Sequence, residues 1–233
     1  MTDSFKIKEW DESYSRKENH IYYPKEEVVK FLNRFVSKRI GSNQFHQVLK
    51  TDVEVLKGLD LGCGIGRQTL LFEEFKIQGY GLDISKEAIH EAYELSSKSG
   101  FNMEGRFQTI TEPIIPFDQD FFQIAICDSV LDSMPFEIAK QYINEFERTV
   151  THYLFITLIG GNDQIEEETE SIVNSQHEFG TVQSYYTLNK INQLIENSQW
   201  KISWMNQIIE NRMNISTGNT STFNSRYHIV LSK

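Results

Sequence analysis

Apolar residues in this chain follow two alternating rhythms. From Val53 to Leu61 an apolar run is broken only by Glu54, Lys57, Gly58 and Asp60, and it leads into Gly62, Gly64 and Gly66. Helical spacing takes over at once, with Leu70, Leu71 and Phe75 on one face. The segment therefore predicts a strand, a glycine turn and a helix. A second short strand, Tyr80 to Leu82, ends at Asp83, and Ser85 can cap a helix carrying Ala88, Ile89, Ala92 and Leu95, which Gly100 ends. Strands follow at Arg106–Thr111 and Phe121–Cys127, then a helix over Phe136–Val150 with Ile138, Ala139, Tyr142, Ile143 and Phe146 inward. Tyr153 to Ile159 is apolar without a break, the mark of a central strand buried on both faces. Thr187 caps a helix from Leu188 to Gln199, and Lys201–Ile209 and Tyr227–Ser232 read as the last strands.

Three segments stand outside this rhythm. Residues 1–24 are polar and aromatic, and after Pro24 a helix is expected with Val28, Val29, Leu32, Phe35 and Val36 on one face, broken at Gly41 and Ser42. Residues 160–187 form a polar, acidic insertion with Glu166, Glu167, Glu168 and Glu170, running through His177 and Gly180 to Tyr185. Its expected role is a lid or substrate wall. Asn211 to Arg226, rich in Ser, Thr and Asn, reads as a long polar loop. No internal repeat breaks the chain, and residues 1–233 read as one domain.

Charge narrows the choice of partner. The formal net charge is −10, and the basic stretch Lys25–Lys38 is interleaved with Glu and apolar residues. Without a basic face, nucleic acid is disfavoured. No apolar run approaches the roughly 18 residues of a membrane span, and the start, Met1 to Lys6, lacks a signal-peptide core. Cys63 and Cys127 are expected as free thiols in a reducing compartment, which makes cytoplasm the expected location. The cysteines and the scattered histidines give no metal-ligand spacing, so no metal is expected.

The glycine string carries the chemistry. It reads acidic-x-Gly-x-Gly-x-Gly from Asp60, and Arg67 stands where a dinucleotide fingerprint would have glycine. Asp83 lies seventeen residues after Gly66, at a strand end where a carboxylate can accept both hydroxyls of a ribose. Asp60, Gly62, Gly64, Gly66 and Asp83 together resemble the class I S-adenosylmethionine-dependent methyltransferases, specifically over Val55 to Phe155. The resemblance implies a Rossmann-like α/β fold: a seven-stranded, mostly parallel sheet with an antiparallel last strand and helices on both faces. It implies S-adenosylmethionine as cofactor, held by Asp60, Gly62, Cys63, Gly64, Gly66, Asp83 and Ile84. Residues 1–45 resemble the N-terminal cap of small-molecule members, from which Tyr14 and Arg16 would reach the methionine end. Many relatives carry an aspartate after the third strand to read the adenine; here Thr111 and Glu112 stand instead, a departure that leaves either of them, or backbone groups, as the contact. Asp128 and Ser129, at the end of the fourth strand, would lie near the methyl group. The Asn/Asp-Pro-Pro-aromatic string of enzymes that methylate amide or base nitrogens is absent there, which lowers those acceptors.

Methyl transfer from a sulfonium needs orientation first, and a base only where the nucleophile must lose a proton. Asp128, Asp132, His20, His152 and His177 are the candidates; Asp128 is best placed by motif and His177 is the best base by chemistry. The expected acceptor is a small polar molecule, such as a sugar or a secondary metabolite, methylated on O or N. A protein or RNA methyltransferase and a non-catalytic cofactor-binding module are the alternatives, and both monomer and homodimer stay open.

Overall fold

The computed structural model describes residues 6–161, 170–174, 178–213, 215–216 and 220–233, the side chains of 220–224 excepted. Helix α1 (Ile7–Ser15) and helix α2 (Glu26–Phe31) open the chain, and α2 continues as a π-helical turn over Leu32–Val36. A small hairpin follows, β1 (Ser37–Arg39) and β2 (Phe45–Gln47). Then come β3 (Lys57–Leu61), α3 (Arg67–Glu74), β4 (Gln78–Asp83), α4 (Lys86–Lys98), β5 (Phe107–Thr109), β6 (Phe122–Asp128), α5 (Phe136–Thr149) and β7 (Val150–Ile159). The inserted segment contributes β8 (Glu170–Ile172) and β9 (Val182–Ser184), and the chain ends with α6 (Leu188–Ile195), β10 (Lys201–Met213) and β11 (Thr220–Ser232).

Seven strands form one sheet in the order β10-β11-β7-β6-β3-β4-β5. β3, β4, β5, β6 and β7 run parallel. β11 pairs antiparallel with both β7 and β10. The expected seven-stranded sheet with an antiparallel last strand is thus what forms. Strand order reverses at β3: the chain steps outward to β4 and β5, then returns to lay β6 on the other side. Open parallel sheets bind their ligands above the strand ends at such a reversal.

Alternation along apparently uniform apolar strands sorts the core into two faces. Ala125 and Cys127 of β6 face a cluster with Tyr142, Ile143 and Phe146 of α5 and Ile191 and Leu194 of α6. Ile124 and Ile126 face the other side, where Val28 and Phe31 of α2, Leu32 and Val36 of the π turn, and Leu71 and Phe72 of α3 pack. Helices on both faces follow. α4 completes a third cluster with Phe107 of β5. Ser85 caps α4 as its position predicts, its hydroxyl accepting the Ala88 N–H at 3.1 Å.

The sequence reading departs from the structure at four places. The first strand is shorter than its apolar run, because Val53 and Val55 lie exposed outside the sheet and only Lys57 to Leu61 pair. The helix after Pro24 shifts to π-helical spacing, which buries Phe31 and leaves Val29 and Phe35 half-exposed. The helix after Thr187 stops at Ile195. The polar stretch read as a loop from Asn211 is instead largely strand: β10 and β11 run on as a ribbon, with Asn211 opposite Thr222 and Met213 opposite Thr220. Backbone pairing, which needs no apolar alternation, carries the ribbon on past the sheet.

Candidate functional site

A glycine turn joins β3 to α3. Gly62, Gly64 and Gly66 all take left-handed dihedrals, with φ of 70°, 54° and 85°. At Gly64 a Cβ would also lie 2.6 Å from the Tyr14 hydroxyl, so glycine serves twice there, in conformation and in close approach. Asp83, at the end of β4, holds this loop from below: one carboxylate oxygen accepts the Gly64 N–H at 2.8 Å and the other accepts the Ser85 N–H at 2.9 Å. Burial lifts the Asp83 carboxyl to about 6, against the pull of those amides. Each oxygen keeps a lone pair for a further donor. Asp60, two residues before Gly62, is buried beneath the loop and accepts the Thr69 hydroxyl at 2.7 Å; burial lifts its carboxyl to about 7.

Opposite this loop, at the end of β6, stands a denser network. One oxygen of Asp128 accepts Lys25 Nζ at 2.9 Å and the Thr157 hydroxyl at 2.7 Å, and the other accepts Gln68 Nε2 at 3.1 Å. Arg67 adds a second cation at 3.7 Å. Despite the opposing effect of burial, Lys25 and these donors hold the Asp128 carboxyl below its usual value. It is an anchored anion and has little appetite for a proton at neutral pH. Ser129 follows at φ 61°, its hydroxyl accepting from Lys25 at 2.8 Å and from Arg226 at 2.9 Å. Arg226 also reaches Asp132 at 3.3 Å. That carboxylate, 1% exposed, accepts the Ile159 N–H through the same oxygen at 2.8 Å, and its second oxygen has no partner among the described residues. Burial raises the Asp132 carboxyl above its usual value.

The two halves enclose a cavity of about 370 Å³. The N-terminal segment covers it and is fastened at four points. Asp11 accepts the Ser85 hydroxyl at 2.6 Å, Tyr14 lies over Gly64, the Tyr23 carbonyl accepts from Arg67 at 3.2 Å, and Lys25 reaches Asp128. Glu178 and Gln183 also line it. The Glu178 N–H bonds Glu18 of the N-terminal segment at 3.3 Å, so the two touch.

Most of the residues expected from sequence line this space: Tyr14, Asp60, Gly62, Cys63, Gly64, Asp83, Ile84, Asp128 and Ser129. Gly66 lies just behind, at the start of α3. Arg16 does not line it; its guanidinium turns to Glu18 at 2.8 Å. Thr111 and Glu112 are exposed outside the lining, where Ile110 takes the place beside the cavity. His152 sits near the amino end of β7, away from the crevice at the carboxyl ends of the parallel strands. His20 is half-buried beside Tyr14, outside the lining. His177 lies outside the described residues, as do Glu166, Glu167 and Glu168. Sequence reasoning missed Lys25, Arg67, Gln68 and Arg226. Arg67 and Gln68 were within reach, since the first turn after a glycine loop faces the same ligand. Lys25 and Arg226 meet the site only through tertiary packing. Among the described residues, no group of three or more His, Cys, Asp or Glu could hold a metal, and no helix is long and apolar enough to cross a membrane.

Solved structures share this architecture. A SAM-dependent methyltransferase from Methanosarcina mazei superposes with a TM-score of 0.62 at 20% identity, over 78% of this chain and 93% of its own. TehB from Haemophilus influenzae matches with a TM-score of 0.58 at 16% identity, over 96% and 67%. Magnesium protoporphyrin IX methyltransferase from Synechocystis PCC 6803, solved with SAM bound, gives 0.51 at 16% identity, over 77% and 70%. Among curated proteins the sequence finds no match. Residues 52–210 match the family model of the methyltransferase domain; the chain belongs to that family and carries its Rossmann-like class I fold.

Proposed function

We propose that this methyltransferase takes its methyl group from S-adenosylmethionine and places it on a hydroxyl or amine of a small polar molecule, such as a sugar or a secondary metabolite. The observation that carries this reading is the enclosure of the site. An N-terminal segment pinned at four points and the Glu178 segment that touches it leave about 370 Å³, room in the range of small-ligand pockets, about 300–1,000 Å³, and not for a folded polymer. The net charge of −10 argues the same way against nucleic acid.

The residues fit the cofactor. Asp83 has lone pairs to spare for two ribose hydroxyls, and Gly64 brings backbone close without a side chain. Ile84 and Ile110 supply apolar surface beside them for a purine. Gln68, 3% exposed, has a buried carbonyl oxygen with no partner next to Asp128, an acceptor suited to an ammonium group. The excess of carboxylates around the cavity suits a sulfonium cation. When bound, the cofactor supplies an electrophilic methyl carbon on a neutral leaving group, so the chain needs no general acid.

What this chain supplies is orientation and a proton acceptor. Asp128, already ionised and fully engaged, positions Lys25, Gln68 and the Ser129 loop. Asp132 has the oxygen without a partner among the described residues and the raised affinity for protons, so it takes the proton that an acceptor hydroxyl sheds as its bond to carbon forms, or that an ammonium loses before its lone pair can attack. Arg226 favours the ionised form of Asp132, which keeps the oxygen able to accept that proton.

Calorimetric titration with S-adenosylhomocysteine tests the cofactor reading, and absence of binding removes it. S-adenosylhomocysteine release, followed across small hydroxyl and amine compounds, peptides and RNA, tests the acceptor class; turnover with polymers alone refutes it. Asp132→Asn is expected to lower turnover by roughly 100-fold or more with cofactor affinity retained. Full turnover in that variant removes Asp132 as the base.

A further inference from the structure

A second cavity, of about 600 Å³, lies between α2, its π-helical continuation, the β1–β2 hairpin and the face of the β10–β11 pair. It shares no lining residue with the first. Its walls are aromatic and aliphatic: Phe31 and Phe35 from the helix, Trp204 and Ile208 from alternate positions of β10. Three cations stand at its mouth, Lys30, Arg34 and Lys38, and one carboxylate, Glu27.

The cations are not equivalent. Lys30 is engaged by Glu26 at 2.8 Å and by Glu27 at 3.7 Å. Arg34 forms no ion pair among the described residues. Its guanidinium lies 5.4 Å from the Phe35 ring and 5.6 Å from the Trp204 ring, spread over the two aromatics that bound the cavity. Lys38 is exposed and likewise forms no ion pair among the described residues. In a chain of net charge −10 carboxylates are plentiful, so two cations left unpaired beside an aromatic cavity mark a place with room for an outside anion. Arg34 is held by the rings in a fixed pose, which suits a planar carboxylate. The cavity behind it takes an apolar body.

We propose that this cavity is a binding site for a small amphipathic carboxylate, with its apolar body against Phe31, Trp204 and Ile208 and its anionic head between Arg34 and Lys38. The chemistry is shared by medium-chain fatty acids and aromatic carboxylates, and the test separates them.

Decanoate and 1-naphthoate are titrated into the full-length protein, followed by calorimetry and by Trp204 emission, with Trp204→Phe as the optical control. Saturable binding of at least one is expected, unaffected by saturating S-adenosylhomocysteine. Decanol and 1-naphthalenemethanol, which lack the charge, should bind about tenfold more weakly or worse, and Arg34→Gln with Lys38→Gln should cost the carboxylate a similar factor. Both substituted side chains are exposed, and a thermal melt verifies folding. Absence of saturable binding, equal binding of acid and alcohol, or displacement by S-adenosylhomocysteine would overturn the proposal. So would a dimer by light scattering that Ile208→Arg separates, since the cavity would then belong to an interface between copies. A protein that binds decanoate yet fails to bind S-adenosylhomocysteine keeps this site and loses only the cofactor reading.

Discussion

Replacing Asp83 with Asn probes the cofactor site where its charge and its geometry are both defined. Asp83 is 6% exposed and already accepts the N–H groups of Gly64 and Ser85. Two further lone pairs are available to ribose hydroxyls. Hydrogen bonds to a charged group contribute about 1.5–3 kcal/mol each. Asn keeps one acceptor oxygen, so about one such bond is lost and the other weakened, and affinity for S-adenosylhomocysteine should fall roughly tenfold to a few hundredfold. The pH dependence separates this from mere loosening. Burial lifts the Asp83 carboxyl to about 6. Donors from the ligand need the ionised form, so in the wild type protons compete with ligand below that pH. Affinity should fall towards about tenfold per pH unit under pH 6 and level off above it. The Asn variant lacks this carboxyl and should lose the limb near pH 6, while Asp60, lifted to about 7, titrates alike in both proteins. Calorimetry from pH 5 to pH 8 on both proteins is the assay. An Asn variant that binds as the wild type does, or that keeps the acid limb, refutes the assignment. Ala is the poorer choice: the position is buried, not open at a strand end, and Ala would strand both the Gly64 and Ser85 N–H groups, where Asn strands one, at about 1–3 kcal/mol each.

Gly64→Ala should weaken cofactor binding and cost roughly 1–2 kcal/mol for the left-handed backbone alone, and more from the clash with the Tyr14 hydroxyl. Adding Tyr14→Phe should recover part of that loss, a non-additivity that urea titration of the single and double variants measures. Lys25→Ala removes a charged hydrogen bond from Asp128 and should destabilise the protein by about 1.5–3 kcal/mol at neutral pH. The sign follows from the depressed Asp128 value: the stabilisation is present above the unfolded carboxyl pKa and fades as pH falls through the folded one. Denaturation midpoints that differ at pH 7 and converge in acid check it.

What could be read from sequence was local. The strand, the glycine string and the start of α3 are contiguous, and Ser85 caps a helix three residues away, so pattern and turn chemistry suffice. Asp83 was legible because a strand end lies at a fixed distance from the loop it supports. Arg16 misled: it looked like a ligand contact, and Glu18, two residues on, claims its guanidinium. Lys25 and Arg226 were invisible because they converge on Ser129 from about a hundred residues away on either side. The β10–β11 ribbon was hidden for another reason: backbone pairing alone makes it a strand, and side-chain pattern does not report that.

The joining of Arg226 to Asp132 also orders events in time. Synthesis and domain folding begin from the N-terminus, and β3 to β7 can assemble as a parallel sheet while β11 is still to be made. Gly160 receives its Ser225 partner, and Asp132 its cation, only when the final strand slots in beside β7. Until then the Asp132 carboxylate stands without its charge partner, and a nascent chain holds the glycine loop and Asp83 before it holds that pair. In the finished protein a ligand that touches Tyr14 at one end and the Ser129–Arg226 corner at the other ties the first helix to the last strand. Binding should accordingly slow proteolysis of both termini together.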